Sequence, residues 1–393
     1  MADAREFDLI IYGATGFTGR LVAEYLAHHY AGRADQPRWA MAGRSLEKLA
    51  EVRNLIGAPS NIALIKADAE DPASLEAMAA QTQVLISTVG PYQLYGEALI
   101  AACVKTGTAY ADLCGEPGWM REMIDRYQES AKASGARITF SCGFDSIPFD
   151  LGVYFLQEEA LKRFGMPVTK VKGRVRAMQG GASGGTIASL TETLKAVARN
   201  PSLGLLLQSS FALTPNFEGP RQPTGMVPEY DETTGRWAAP FVMAPINTKN
   251  VHRTNYLLSH RWGQDFIYDE MMLTSLGEAG KAMAEAITKA PAFGGSTLQP
   301  GEGPSKEERE NGFYDIVFIG ETADGRVLHA SVQGDLDPGY GSTSRMIAET
   351  AMTLLHSAEQ GGKGGIWTPG ALLGDALIAR LTQEAGLRFT IEN

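Results

Sequence analysis

Residues Phe7 to Gly19 read FDLIIYGATGFTG, and this stretch constrains the fold more than any other. Leu9, Ile10, Ile11 and Tyr12 make an apolar run long enough for a buried parallel strand and too short for a helix. The chain then passes through Gly13, Ala14, Thr15, Gly16, Phe17, Thr18 and Gly19 into a pattern with Leu21, Val22, Tyr25 and Leu26 on one helical face. Strand, glycine turn and helix together aim a helix N-terminus at a phosphate. Gly13 permits the tight turn, Gly16 lets the backbone approach a pyrophosphate, and Gly19 lets the helix lie close to the strand. The spacing is G-x-x-G-x-x-G, and its place between a strand and a helix reads as nucleotide binding.

A chain of 393 residues exceeds one ordinary core, so two domains are expected. Runs near Trp39–Ala42, Ile62–Ala67, Val84–Val89, Ala109–Leu113 and Ile138–Cys142 continue the strand–helix alternation to about Asp150. This predicts an α/β fold with a Rossmann-type, doubly wound parallel sheet over residues 1–150. From Val168 to Met178 the pattern alternates, with Lys170, Lys172, Arg174 and Arg176 on one face. It reads as a half-exposed strand of an antiparallel sheet. Its cations form either a solvated face or a guide for an acidic ligand or carrier. Residues 151–340 are expected to form an α+β substrate and dimerisation domain. Within it Pro201–Pro245 reads as a long excursion or lid, and Met272, Leu276, Ala279, Met283 and Ile287 share a helical face. Tyr314–Phe318 and Val327–Val332 read as a hairpin around Asp324-Gly325. Residues 341–393 are expected to be helical and to return to the first domain.

In a doubly wound sheet, ligands bind beyond the carboxyl ends of the strands. After the second strand come Gly43, Arg44 and Ser45, with Lys48 one turn on. A carboxylate there would hold the ribose hydroxyls of NAD; two cations and a hydroxyl suit a 2′-phosphate, so the cofactor expected is NADP(H). After the third strand, Asp68 either accepts from the adenine amino group or is a loop residue, with Ala69 beside it. After the fourth come Ser87, Thr88, Val89, Gly90, Pro91 and Tyr92, all placed to line the cofactor. Glu116, Cys142 and Asp145 follow the fifth and sixth strands. A second glycine-rich helix start, Gly180 to Gly185, can bind an anion, let a substrate lie against backbone at Gly184 and Gly185, or serve close packing.

The net charge of −10 gives no support to nucleic-acid binding. No apolar run reaches the span of a membrane helix, no leader precedes Phe7, and the cytoplasm is the default. Three cysteines without C-x-x-C spacing fit a reducing compartment, and the six histidines make no ligand cluster, so no metal is expected.

The segments YGATGFTG, AGRS, STVGPYQLYGEAL, GTAYADLCGE and CGFDSIPFDLG resemble the saccharopine dehydrogenase-like proteins. GGASGGTIAS, MAPINTKNVHRTN, DPGYGSTSRMIAETA and GGIWTPGALLGDALIARL narrow the resemblance to the trans-acting enoyl reductase branch, nearly end to end. The resemblance implies an NADPH-binding Rossmann-type fold, an α+β substrate domain and work beside polyketide synthases in lipid building. It implies reduction of a C=C bond in an acyl substrate carried on an acyl carrier protein or CoA, with a homodimer possible. The alternatives are reduction of an imine between an amino acid and a semialdehyde, or a regulatory protein that binds NADPH without turnover. Hydride transfer needs a proton donor and a stabiliser of enolate charge. Tyr95 and Asp145 are the candidates, Asp145 being also a possible helix cap; Glu116, Cys142, Gly184 and Gly185 are candidates for touching the substrate.

Overall fold

A computed structural model describes residues 5–181, 184–290, 301–357 and 363–392. The first six strands of the chain all enter the first sheet: β1 (Phe7–Tyr12), β2 (Trp39–Gly43), β3 (Ala63–Lys66), β4 (Thr82–Ser87), β5 (Ala109–Asp112) and β6 (Arg137–Thr139). All their pairings are parallel. β2 is buried along its whole length and β1 is half-buried only at Asp8, as strands covered by helices on both sides must be. The sixth strand stops at Thr139, short of the apolar run that continues to Cys142. Ser141 there has a left-handed φ of 58°, and its N–H donates to Asp112 Oδ1 at 3.1 Å instead of continuing the ladder. That early stop frees Phe140 to Ser146 as a loop over the sheet's carboxyl edge.

The second sheet contains β7 (Val168–Gln179), β8 (Glu229–Asp231), β9 (Arg236–Pro240), β10 (Ile267–Leu273), β11 (Phe313–Thr322) and β12 (Val327–Gly334). β11 and β12 form the hairpin around Asp324-Gly325. β7 lies inside the sheet, parallel to β10 and antiparallel to β11. Its cationic face is not simply solvated. Arg174 is fully buried, with Nη1 2.8 Å from Asp269 and Nε 2.8 Å from Asp231. Arg176 meets Asp315 at 2.7 Å and Glu392 at 2.6 Å. Period-two alternation could not show this, because the neutralising carboxylates come from other strands. Met272 belongs to β10, so the helical face begins only with Gly277–Lys289. The stretch read as a lid holds a helix, Pro201–Gln208, and the β8–β9 hairpin. Part of the glycine-rich start, residues 182–183, and part of the loop from Pro291, residues 291–300, lie outside the described residues.

The last segment contributes strands as well as helices. Helix Thr343–Ser357 packs on the first helix, Phe17–His29. β13 (Gly365–Trp367) then pairs parallel with β6, helix Pro369–Glu384 packs on Ile147–Phe164, and β14 (Arg388–Glu392) pairs antiparallel with β12. The sheet orders are β13-β6-β5-β4-β1-β2-β3 and β14-β12-β11-β7-β10-β9-β8. In the first, the winding reverses between β1 and β4, which sets the ligand crevice at their carboxyl ends.

Candidate active site

The crevice begins at the glycine turn. Gly13 has φ +89°, and a Cβ there would lie 2.7 Å from Thr88 Oγ1. That Thr88 hydroxyl contacts the carbonyl oxygens of Tyr12 and Gly13, each at 3.2 Å, and so ties the end of β4 to the turn. A Cβ at Gly19 would come within 2.2 Å of Gly13 O, which is how closely the helix crosses the strand. Gly16 caps the helix with extended backbone and no side-chain acceptor, and the first turn carries no acid. Its leading N–H groups are therefore available to an anion. Ala14 is buried, Thr15 is exposed and Thr18 is half-buried at the same turn. Phe17 packs edge-on against Tyr340 with centroids 5.2 Å apart, so a later segment of the chain closes against this turn.

At the end of β2, Arg44 and Lys48 are exposed, and among the described residues neither has an ion-pair partner. The Ser45 hydroxyl oxygen accepts from Lys48 N at 3.2 Å as a helix cap. Gly43 adds no side chain, so the residues present fit a 2′-phosphate. Asp68 Oδ1 accepts from Glu70 N at 3.2 Å, which favours the loop reading of that residue. Asp68 and Arg44 both act on the Tyr12 hydroxyl, which burial above all pushes up to about 12.

The β4 loop corrects several sequence expectations. Ser87 is buried. Tyr92 is buried too; its hydroxyl donates to Ser87 O and accepts from Leu113 N, both at 3.1 Å, so it braces the loop rather than facing a cofactor. Glu116 accepts from Tyr92 N and Gln93 N at 2.9 Å each and fixes the short helix Tyr92–Tyr95, so its carboxylate is turned to the loop and not to a substrate. Cys142 is fully buried; its thiol donates to Thr139 O at 3.5 Å and is pushed up by burial, which removes it from reach of a substrate. Tyr95 is 40% exposed and lines an outer groove of about 520 Å³ with Leu94, Glu76, Lys105 and Tyr127. Asp145 does not line that groove.

Val89, Gly90 and Pro91 remain at the crevice, roofed by helix Gly184–Arg199. A Cβ on Gly90 would lie 3.7 Å from Ser189 Oγ. Gln93 Nε2 donates to Thr193 Oγ1 at 3.4 Å, and Thr186 Oγ1 lies 3.0 Å from Tyr340 OH. Gly184 starts that helix and Gly185 is exposed beside it. At Gly180 the close-packing reading holds, since a Cβ there would meet Pro338 Cδ at 2.6 Å.

Asp145 stands in the loop after β6, between buried Phe144 and buried Ser146. Phe144 packs on Tyr314 of β11 with centroids 5.0 Å apart, so this loop is where the two sheets meet. Asp145 is half-buried and has no hydrogen-bond or ion-pair partner among the described residues. Burial alone pushes its carboxyl up to about 7. Such a group is able to hold and release a proton near neutrality. Sequence reasoning missed helix Ala244–Leu257, whose Asn250 donates to Ser146 Oγ at 2.8 Å beside Asp145. The signal was present in MAPINTKNVHRTN, where Asn247, Asn250 and Thr254 fall on one helical face.

A parallel, doubly wound sheet with an anion-ready glycine turn, joined to a second mixed sheet over its carboxyl edge, defines a dinucleotide-dependent oxidoreductase. Residues 9–138 match the saccharopine dehydrogenase NADP-binding domain. A Mycobacterium tuberculosis relative, provisionally described as a trans-acting enoyl reductase, is 40% identical over 97% of this chain and 96% of its own. The trans-acting enoyl reductases of Mycobacterium bovis and Mycobacterium ulcerans are each 37% identical over 96% of both chains. The chain belongs to this family of saccharopine dehydrogenase-like, NADP-dependent oxidoreductases. Saccharopine dehydrogenase (L-Glu forming) of Saccharomyces cerevisiae shares the fold, with a TM-score of 0.55 at 11% identity over 98% of this chain and 100% of that one. Among the described residues no helix is long and apolar enough to cross a membrane, and no group of three or more His, Cys, Asp or Glu could hold a metal ion.

Proposed function

We propose that this protein is an NADPH-dependent enoyl reductase acting on an acyl thioester. The observation that carries the reading is Asp145, a carboxyl group with no cation beside it, at the seam of the two sheets in a chain related end to end to trans-acting enoyl reductases. Residues 1–150 hold the cofactor, 151–340 shape the substrate site, and 341–393 join the two. Bound NADPH supplies hydride to the β-carbon of the substrate. The glycine turn and Arg44, Ser45 and Lys48 orient the dinucleotide from its phosphates, and helix Gly184–Arg199 keeps water from the crevice. The π pair of the C=C bond moves toward the carbonyl oxygen as hydride arrives. The Asp145 carboxyl then gives its proton to the α-carbon and is left as carboxylate. Asp145 suits this step better than Tyr95, which faces the outer groove. The thioester is carried on CoA or an acyl carrier protein. The protein works in the cytoplasm as a homodimer through the face that exposes Leu276 and Met283.

The test is NADPH oxidation by the purified protein against enoyl-CoA and enoyl-pantetheine thioesters of graded length, with preformed imines alongside. One NADPH consumed per saturated thioester formed is the expected result. Turnover of imines alone, or none at all with tight NADPH binding, overturns the reading. Sedimentation velocity tests the homodimer separately.

A further inference from the structure

Helix Gly184–Arg199, which roofs the crevice, runs on into a second helix, Pro201–Gln208. The second reads PSLGLLLQ, four leucines in eight residues, yet none of its residues is buried. None of residues 185–199 is buried either. Leu194 is 63% exposed and Leu205 70%. Apolar side chains grouped in this way on a surface mark a binding face or a ligand groove.

The underside of this helix pair continues the crevice. A Cβ on Gly90 would lie 3.7 Å from Ser189 Oγ, and one turn further on Thr193 Oγ1 accepts from Gln93 Nε2 at 3.4 Å. Gln93 and Thr193 then border a narrow gap of about 20 Å³, with Gly118, Trp119, Ala196, Leu203 and Leu207 as its other main walls. Glu116 borders it too, but its carboxylate oxygens accept from Tyr92 N and Gln93 N, each at 2.9 Å. The polar groups are thus spent on one another and on the loop, and the remaining walls are apolar. Trp119 packs on Phe140 with centroids 5.4 Å apart, and Phe140 opens the loop that carries Asp145. Gly118 stands in the first turn of helix Pro117–Ser134, a position where most residues would favour the helix more than glycine does. A Cβ there would lie 2.6 Å from Leu203 Cδ1, so the missing side chain is the seat of Leu203. That leucine can change rotamer, and it stands on a helix with no buried residue to hold it.

We infer that the acyl tail of the substrate lies in this seam. Leu203 sits on Gly118 in the tail's absence and is turned aside by it, so that Gly118 and Leu203 set how chain length is read. The inference rests on the enoyl reductase reading above. Continuity with the crevice through Gln93 and Thr193 argues for the substrate as occupant. So does the size of the gap, which holds about one water and admits a single hydrocarbon chain but not the side of a protein.

The experiment titrates saturated acyl-CoA thioesters, from butanoyl to tetradecanoyl, into the NADP⁺-loaded protein by calorimetry, so that no turnover is needed. Each methylene that the seam covers should tighten binding about fourfold, until the seam is full. Leu203→Ala should move that plateau to longer tails and Gly118→Val to shorter ones, with NADP⁺ affinity unchanged. Affinity that ignores chain length, or a plateau that neither variant moves, overturns the inference. A tail brominated at its end should quench tryptophan emission, and Trp119→Phe should remove most of that quenching; equal quenching in the two proteins overturns the inference as well. A flat length series, with Leu194→Lys and Leu205→Lys breaking a dimer in sedimentation velocity or releasing the protein from phosphatidylcholine vesicles, would assign the face to a second copy or a membrane and overturn it too. If the tails bind with the expected length dependence while no enoyl thioester is reduced, the functional reading fails and the seam stands. If enoyl thioesters are reduced with no dependence on tail length, the seam fails and the functional reading stands.

Discussion

At the scale of single residues, the site divides into groups that face the crevice and groups that brace it. Arg44 is exposed at the end of β2 and has no ion-pair partner among the described residues, which suits its guanidinium to a 2′-phosphate. Arg44→Ala should weaken NADPH binding about tenfold, toward the low end for a charged hydrogen-bonding contact in water, and leave NADH nearly unchanged. Fluorescence titration of both cofactors decides it; equal losses would place the 2′ position elsewhere. Asp145→Asn should lower kcat by about 10²- to 10⁴-fold with NADPH affinity kept, the usual weight of one positioned acid. Tyr95→Phe should change kcat less than about twofold, because that hydroxyl opens on the outer groove; stopped-flow turnover of the two variants separates their roles. The exposed place of Arg44 was legible in the sequence because it depends on local order, one strand end followed by one helix start. The helical face of Asn247 and Asn250 was open to reading, but their partners were not, since Glu270 on β10 and Ser146 are brought to them only by the packing of helix Ala244–Leu257. Glu116 and Tyr92 were misread for a related reason: polar residues beside a crevice can spend their atoms on the loop itself, as these do.

At the scale of elements, the helix that carries the glycine turn is held from behind. Tyr25 on it and Tyr30 just past its end donate to Glu349 of helix Thr343–Ser357, and Arg380 of helix Pro369–Glu384 meets the same carboxylate. At its end, Arg33 and His29 meet Glu384 at 2.8 and 2.7 Å. The hydrogen bond from Arg33, with help from His29, holds the Glu384 carboxyl at about 2, below its ordinary 4.5. A carboxyl lowered by folding adds stability that is present above pH 4.5 and is lost as pH falls toward 2. Arg33→Ala should therefore reduce stability at pH 6 and flatten its decline between pH 4.5 and 2. Urea midpoints measured across that range would show it, and a decline as steep as in the wild type would assign the acid sensitivity to other carboxylates. The alternation of strands and helices up to Asp150 could be read directly, because a buried parallel strand is nearly all apolar and its helices announce their ends. The burial of Arg174 could not, since a charged residue in a period-two pattern looks the same whether it meets water or Asp231 and Asp269.

At the scale of the whole molecule, the chain crosses between its sheets and back again before it ends. It lays down β1 to β6, then β7 to β12, and returns to pair β13 with β6 and finally β14 with β12. The edge strand β14 is thus tied through helix Pro369–Glu384 to the first sheet and through its ladder to the second. Phe389 packs on Phe155 with centroids 5.9 Å apart, and Glu392 holds Arg176 of β7. Leu387, at the entry to the strand, is buried. Deleting residues 386–393 should leave β12 paired with β11 alone, open the apolar contact at Phe155 and leave Arg176 with Asp315 alone. The first sheet would keep all seven of its strands. Hydrogen exchange read peptide by peptide distinguishes the two sheets. In the full chain they should share one global level of protection, and NADPH at a hundred times its Kd should raise both by about 2.7 kcal/mol. In the truncated chain the β11–β12 peptides should lose protection first, and NADPH should raise protection across β1 to β4 while leaving the hairpin behind. Equal protection of both sheets after truncation would mean that the seam around Phe144 and Tyr314, not the returning C-terminal strand, couples the substrate half of the molecule to the cofactor half.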